Sequence, residues 1–264
     1  MKTVIYIYKV YAQRRRVALT LLFALLTFTT ASAQIGEHRD EFAVGVSGGY
    51  VLSNVGFTPN VPQAMHGGLM GGLTFRYTTE KYFSSICAIV GEVNYAQLGW
   101  KEDILDVHDA PVINATTGLA EQYERTINYV QVPVMARLGW GRERNGAQFF
   151  FQVGPQMGFY LNESTKTNFN FADRNTADRS SSIVAQDTMS VQHKFDYGIV
   201  AGIGVEYSVP RVGHFMLEGR YYYGLGNIYG NTKSDYFGKS NFGNIVIKLS
   251  YLFDLARTKN DKIK

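Results

Sequence analysis

Phe195-Asp196-Tyr197-Gly198-Ile199-Val200-Ala201-Gly202-Ile203-Gly204-Val205-Glu206-Tyr207 is the stretch on which the fold turns. A β-strand points alternate side chains to opposite faces, so these residues separate into two sets. One face carries Phe195, Tyr197, Ile199, Ala201, Ile203, Val205 and Tyr207; the other carries Asp196, Gly198, Val200, Gly202, Gly204 and Glu206. The first set is apolar throughout, with aromatics at both ends. A strand facing lipid reads this way, because Tyr and Trp favour the two membrane interfaces. The second set is mostly small or charged, which suits the crowded interior of a narrow barrel. Helical spacing would scatter Asp196 and Glu206 among the apolar positions, so a helix does not fit.

Working outward, the 264 residues are 45% hydrophobic and 14% aromatic, with 27 Gly and 6 Pro. That composition favours many strands over helices. The first residues read as a targeting segment rather than as fold. Lys2, Lys9 and Arg14-Arg15-Arg16 form a basic region, residues 17–28 (VALTLLFALLTF) a short apolar core, and Ala31-Ser32-Ala33 a small-x-small cleavage site. Gln34 is then the expected new N-terminus. An uncleaved anchor is the rival, but the apolar core is shorter than the ~20 residues a spanning helix needs. The only cysteine is Cys87, which excludes both a lipoprotein signal at the cleavage site and an internal disulfide. Residues 1–33 hold five basic and no acidic residues, leaving 21 basic against 22 acidic, a net of −1. The basic balance therefore belongs to the targeting segment, and nucleic acid is not an expected partner.

Eight strands are expected, at 41–50, 66–77, 84–100, 127–139, 147–161, 193–207, 213–225 and 241–253. The connections alternate: 78–83, 140–145 and 208–212 are short, while 51–64, 101–126, 162–192 and 226–240 are long. Short periplasmic turns and long external loops are the outer-membrane pattern. The expected fold is thus all-β, an eight-stranded antiparallel up-and-down transmembrane β-barrel over residues 34–254. A signal peptide would precede it at 1–33 and a polar periplasmic tail follow at 255–264, with both mature termini in the periplasm. The four external loops are expected to be mobile. A soluble lipocalin-type barrel also has eight up-and-down strands, but its apolar face lies inside, and the charged minority face here would make a poor soluble exterior. Pro133 and Pro155 fall inside strands, where each removes a ladder hydrogen bond, so each is expected to mark a bulge or kink.

Several of these strands resemble the PorT-type outer-membrane β-barrel proteins of Bacteroidota. The matching stretches are Asn128-Tyr129-Val130-Gln131-Val132-Pro133-Val134-Met135-Ala136-Arg137, Gly154-Pro155-Gln156-Met157-Gly158, the 195–207 strand and Glu218-Gly219-Arg220-Tyr221-Tyr222-Tyr223-Gly224-Leu225. The resemblance covers about residues 42–253 and accounts for both prolines. It implies a cell-envelope role, with support of protein export or surface assembly as the activity of the family's name-giving member. Outer-membrane lipid, the barrel-assembly machinery and export components are the partners it implies. Lys248-Leu249-Ser250-Tyr251-Leu252-Phe253 is similar to a barrel-assembly signal carried by Lys248, Ser250, Tyr251 and Phe253, although Ala256 to Lys264 follow it.

The inward charges are the most informative polar residues. Arg76, Glu92 and Arg137 lie on strands two to four, and Glu206, Glu218, Arg220 and Lys248 on strands six to eight. An eight-stranded barrel is just wide enough for side chains to fill, and unpaired charges inside would be costly. A lumen-plugging charge network is the leading expectation, a selectivity constriction in a narrow porin the second. Gly198, Gly202 and Gly204 leave space beside Arg220 and Tyr222. Catalytic signals are poor: the five histidines show no metal-ligand spacing and there is no nucleophile elbow. His193 and Asp196 near the external rim are the weak exception, with no serine assigned to them. No enzyme activity and no cofactor is expected. Residues 102–109 (EDILDVHD) form an acidic loop without a calcium-loop pattern, and Asp187-Thr188-Met189 resembles a Bacteroidota O-glycosylation site. A surface adhesin would bind through residues 101–126 or 162–192.

Overall fold

The computed structural model describes residues 37–230 and 235–257. The expected cleavage site at Ala31, Ala33 and Gln34, and most of the expected tail, lie outside the described residues. Residues from His38 onward form one compact unit.

The strands are β1 (Glu37–Thr58), β2 (Gln63–Ala64), β3 (His66–Tyr82), β4 (Ser85–Glu102), β5 (Tyr123–Gly141), β6 (Gly146–Thr167), β7 (Phe195–Val209), β8 (Gly213–Gly224) and β9 (Lys239–Ala256). All but the two-residue β2 belong to the ring. Neighbours run β4-β3-β1-β9-β8-β7-β6-β5, and β5 pairs back onto β4. Eight long antiparallel strands therefore close on themselves. Closure leaves no free edge, so each strand's N–H and C=O groups find partners within the sheet. The ring strands run 12 to 22 residues. That exceeds the ~9–11 residues needed to cross a bilayer, so their ends project beyond the lipid.

Alternation decides which side chain faces where. On β7, Phe195, Tyr197, Ile199, Ile203, Val205 and Tyr207 are exposed, whereas Asp196, Val200 and Glu206 are buried. The same division holds on β8, where Phe215, Leu217, Tyr221 and Tyr223 point out and Glu218, Arg220 and Tyr222 point in. The core of the molecule is thus its lumen, and the exposed apolar side chains form the lipid-facing band.

Three expectations need correction. Residues 51–58 continue β1 rather than forming an external loop, pairing with β9 from Val51↔Val246 to Thr58↔Lys239. The prolines produce no bulge. Pro133 stands opposite Gln156 and Pro155 opposite Ile199 with no change of register, and the register shift on β5 falls instead between Asn128 and Tyr129. Between Gly91↔Val134 and Asn94↔Gln131, Glu92 and Val93 have no ladder partners on β5, though they pair with Thr74 and Leu73 on β3, so Pro133 interrupts rungs without displacing the strand. Finally, Leu255 and Ala256 complete β9 and are not tail.

Candidate functional site

The lumen is filled in tiers. Nearest the short turns, Arg76 Nη1 donates to both carboxylate oxygens of Glu206 at 2.8 Å. Arg137 donates to Glu206 from the other side and to Gln148 Oε1 at 3.1 Å. Its guanidinium lies 3.8 Å above the centroid of the Phe150 ring. His214 joins the tier with Nδ1 2.6 Å from Glu206 and Nε2 3.1 Å from Asp254.

One tier up, Glu92 accepts from Arg220 at 2.7 and 2.5 Å, from Lys248 Nζ at 2.5 Å and from Asn94 at 2.8 Å. Glu218 accepts from Arg220 and Gln152 and lies 3.5 Å from Lys248. All seven charges singled out in the sequence are buried, Lys248 completely. Two positively charged and two negatively charged side chains make up this tier, so it is close to neutral as a unit. The small residues opposite make the room: a Cβ on Gly202 would stand 2.6 Å from Glu218 Oε1 and 2.9 Å from Arg220 Cγ. Above it, Tyr222 donates to Asp196 at 2.7 Å. A void of about 10 Å³, lined by Met70, Gln131, Gln156, Tyr222 and Asn244 among others, has room for at most a single water.

The loop-side half of the lumen is apolar. Phe57, Trp100, Tyr229 and Phe237 meet with ring centroids 4.9 to 6.1 Å apart. Leu98, Tyr123, Ile127, Tyr129 and Phe242 continue this cluster, and loop residues Ile104, Val112, Phe169, Val191 and Ile228 close over it. Hydrogen bonds join the second and third long loops. Asn114 Nδ2 donates to Glu121 at 2.9 Å and to the Asp173 carbonyl at 2.9 Å, while Arg179 and the Asn175 backbone N–H donate to Glu121 at 2.9 and 2.7 Å. Burial pushes the Glu121 carboxyl up, but those donors outweigh it and hold the group below its ordinary value. Arg125 donates to Tyr229 Oη at 2.8 Å, and Gln186 to Glu102 at 2.9 Å.

A second set of polar links crosses the other mouth. Arg39, near the start of β1, donates to Glu143 in the β5–β6 turn at 2.8 Å, and Lys81 reaches the same carboxylate at 3.3 Å. Arg144 donates to Glu41 at 2.6 Å.

Residues outside the sequence-derived set thus contribute heavily: Gln148, Gln152 and Asn94 occupy inward positions of strands already identified. His214, Asp254 and Arg39 lie near strand ends and Glu143 in the β5–β6 turn, where no period marks them. His193 and Asp196 do not form a catalytic pair, since His193 is exposed at the rim while Asp196 is buried and bound to Tyr222. Ser208, 2.8 Å from His214 Nδ1, imitates a nucleophile-base-acid set with Asp254. Both ring nitrogens of His214 face carboxylates and Ser208 is buried, so the set is a strut between β7, β8 and β9. Among the described residues no group of three or more His, Cys, Asp or Glu could hold a metal ion. In the acidic loop, Asp106 accepts from the backbone of His108 and Ala110 at 2.8 and 2.9 Å, capping its own turn. Asp187 is buried and Thr188 exposed. Lys248, Ser250, Tyr251 and Phe253 alternate along β9, the first two inward and the last two outward.

A lipid-facing band around a filled, closed ring is matched by a family profile described as outer membrane protein beta-barrel domain, over residues 32–230. The chain belongs to that family. This outer membrane barrel is similar in fold to several solved structures at low identity. OprG from Pseudomonas aeruginosa is 13% identical, with 83% of this chain and 98% of that one covered and a TM-score of 0.41. Neisserial surface protein A is 10% identical, with 82% and 100% covered and a TM-score of 0.39. Ail, the attachment invasion locus protein of Yersinia pestis, is 11% identical, with 81% and 99% covered and a TM-score of 0.33. No curated protein matches the chain.

Proposed function

We propose that this outer membrane barrel is a plugged, non-enzymatic docking platform for envelope or surface assembly, of the PorT type that its strands resemble. The observation that carries the reading is the continuity of the plug. Ion pairs fill one half of the lumen, an aromatic cluster fills the other, and hydrogen-bonded loops close over it. A solute route would require the buried network to break. The folded cap, by contrast, offers a fixed surface on which Val107, Ile113 and Leu119 stay exposed well away from the lipid band. Exposed apolar side chains on an ordered loop suit a protein partner, and the same feature supports adhesion as a second reading.

The orientation that accompanies this reading sets both termini and the short turns in the periplasm and the cap outside, with cleavage between Ala33 and Gln34. The alternation of short and long connections supports it. The barrel strands then run from Glu37 to Ala256, and the Lys248 to Phe253 segment addresses the assembly machinery. The test is the surface and secreted protein profile of a deletion strain, complemented either by the full chain or by one whose 103–122 loop is replaced by a short Gly-Ser linker. Cargo lost from the surface, restored only by the full chain, is the expected result. An unchanged profile removes the assembly role, and solute uptake by vesicles carrying the purified barrel would replace it with a pore.

A further inference from the structure

We propose that the Glu102 and Asp187 carboxyls share one proton and so latch the third long loop over the aromatic cluster, a latch that opens when that proton leaves. The two groups come from separate elements. Glu102 ends β4, beyond the lipid band, and Asp187 ends the short 3₁₀ turn Ala185–Asp187 in the connection between β6 and β7. Both side chains are buried.

Their partners are unequal. Among the described residues Glu102 forms no salt bridge, and it accepts from the Gln186 amide at 2.9 Å. Asp187 holds the cations instead, with its Oδ2 3.1 Å from Arg174 and 3.7 Å from Arg179. Its Oδ1 is buried and meets no donor among the described N–H and O–H groups. The two carboxyls are within hydrogen-bonding reach of each other. Two carboxylates that close repel when both are ionised, and burial strengthens the repulsion. A proton on Glu102 removes it and supplies the donor that Asp187 lacks, as in paired acids that ionise one at a time.

The neighbouring charges leave Glu102 without a cation. Arg179 is shared with Glu121 of the second long loop, to which it donates at 2.9 Å. On β5, Arg125 lies 3.7 Å from Glu163 of β6 and donates to the Gln186 carbonyl at 3.3 Å and to Tyr229 Oη of the fourth long loop at 2.8 Å. Tyr123 Oη is 3.4 Å from the Gln186 and Asp187 carbonyls. Burial raises both phenols above the ordinary tyrosine value, so the exchangeable proton is the carboxyl's. Burial, with the Asp187 charge beside it, pushes the Glu102 carboxyl up to about 8. A raised value means that the latch is strongest below the ordinary carboxylate value and is lost as pH rises through the folded one.

The latched segment is what covers the cluster. Ile183, Ala185 and Met189 pack against it, and Trp100 beneath is fully buried. Release of the turn wets these rings and leaves the ion-paired tiers below intact. The latch therefore governs access to the loop-side half of the lumen and not to a pore.

The test places the full-length barrel in phospholipid vesicles with Trp140→Phe, which leaves Trp100 as the one tryptophan. Quenching of its fluorescence by acrylamide is followed from about pH 5 to about pH 10. Quenching should rise by up to about tenfold per pH unit, the limit for release of one proton, and level off above about 8. Glu102→Gln keeps a donor for Asp187 but no titrating proton, so its quenching should stay low and flat. Glu124→Gln, at a nearby carboxyl paired with His66, should keep the rise. A signal that does not change with pH, rises toward acid, or rises equally in Glu102→Gln overturns the latch. So does loss of the rise in Glu124→Gln. Should Glu102→Gln fail to fold, the unsubstituted barrel labelled with carboxyl-¹³C glutamate decides by infrared spectroscopy. A protonated glutamic acid carbonyl band should be present at about pH 6 and vanish with the quenching transition. Its absence, or its persistence beyond the transition, overturns the proposal.

Discussion

Replacing Glu92 by glutamine keeps the shape of the side chain and removes its charge from the most tightly knit tier of the lumen. In the native protein that carboxylate accepts two hydrogen bonds from Arg220, one from Lys248 and one from Asn94, and it is 2% exposed. Without it, Arg220 and Lys248 share the Glu218 carboxylate, which lies 3.5 Å from Lys248. Removing one partner of a buried ion pair costs about 3–5 kcal/mol, because the other charge stays desolvated and uncompensated. Here two positive charges are affected, so Glu92→Gln should lie toward the upper end, about 4–5 kcal/mol, against a total of about 5–15 kcal/mol for a typical folded domain. Urea unfolding in phospholipid vesicles, followed by the fluorescence of Trp100 and Trp140, measures the change. Adding Lys248→Met should then recover at least about 1 kcal/mol, since it withdraws the stranded ammonium, and coupled neighbours depart from additivity by this order. A Glu92→Gln midpoint within about 0.5 kcal/mol of wild type, the range of ordinary surface substitutions, would show that water screens these charges. Strict additivity in the double variant would refute the pairing itself.

Three further outcomes follow from the geometry. Gly202→Val should lower the fraction of chain that resists protease after refolding into vesicles, because a Cβ there already falls 2.6 Å from Glu218 Oε1 and 3.2 Å from the Gly219 carbonyl oxygen; a resistant fraction equal to that of the unsubstituted chain would contradict the packing. Trp100→Ala should destabilise by about 3–5 kcal/mol, measured with Trp140 as the remaining reporter, and should raise protease cleavage in residues 103–122 before the barrel opens. The cap should also respond to pH through Asp187. Burial holds its carboxyl above the ordinary carboxylate value, despite Arg179, a hydrogen bond with Glu102 and Arg174. A raised folded value means that this contribution is complete below the unfolded value of about 4 and is lost as pH rises through the folded one. Hydrogen exchange in residues 168–194, corrected for intrinsic rates, should therefore be slower at about pH 5 than at about pH 8, and Asp187→Asn should flatten the difference. Stronger protection at the higher pH would contradict the sign.

The eight strands were legible because lipid on one side and a narrow lumen on the other impose a period of two, which Phe195 to Tyr207 displays without interruption. The same period sent Arg76, Glu92, Arg137, Glu206, Glu218, Arg220 and Lys248 inward. It fails where a strand leaves the lipid. In β1, Val44, Val46 and Tyr50 face out, but further along Val51, Val55 and Phe57 face in while Gly56 and Thr58 are exposed. The apolar face changes sides at the membrane boundary, so residues 51–58 looked like a loop. Tyr123, Ile127 and Tyr129 invert the pattern on β5 for the same reason. The cap residues Ile104, Val112, Phe169 and Phe237 sit in segments with no period at all, and only the assembled lumen reveals that they close it. Partner choice was equally hidden, because alternation gives the direction of a side chain and not the charge it meets across the barrel.

That last separation bears on how the barrel is made. Arg220 and Lys248 reach Glu92 across 128 and 156 residues, and Arg76 reaches Glu206 across 130. Arg39 likewise crosses the open mouth to a turn on the opposite wall. None of these long-range contacts exists while the sheet is still an open ribbon, when Arg220 and Lys248 have only Glu218, on their own and the neighbouring strand, as a partner. Zipping β1 to β9 neutralises them together, so the final seam is the step at which the structure locks. A chain with one strand out of register would reach that seam with its charges mismatched. The interior therefore favours closure in register, because the pairs to Glu92 and Glu206 need both ends of the sheet in place.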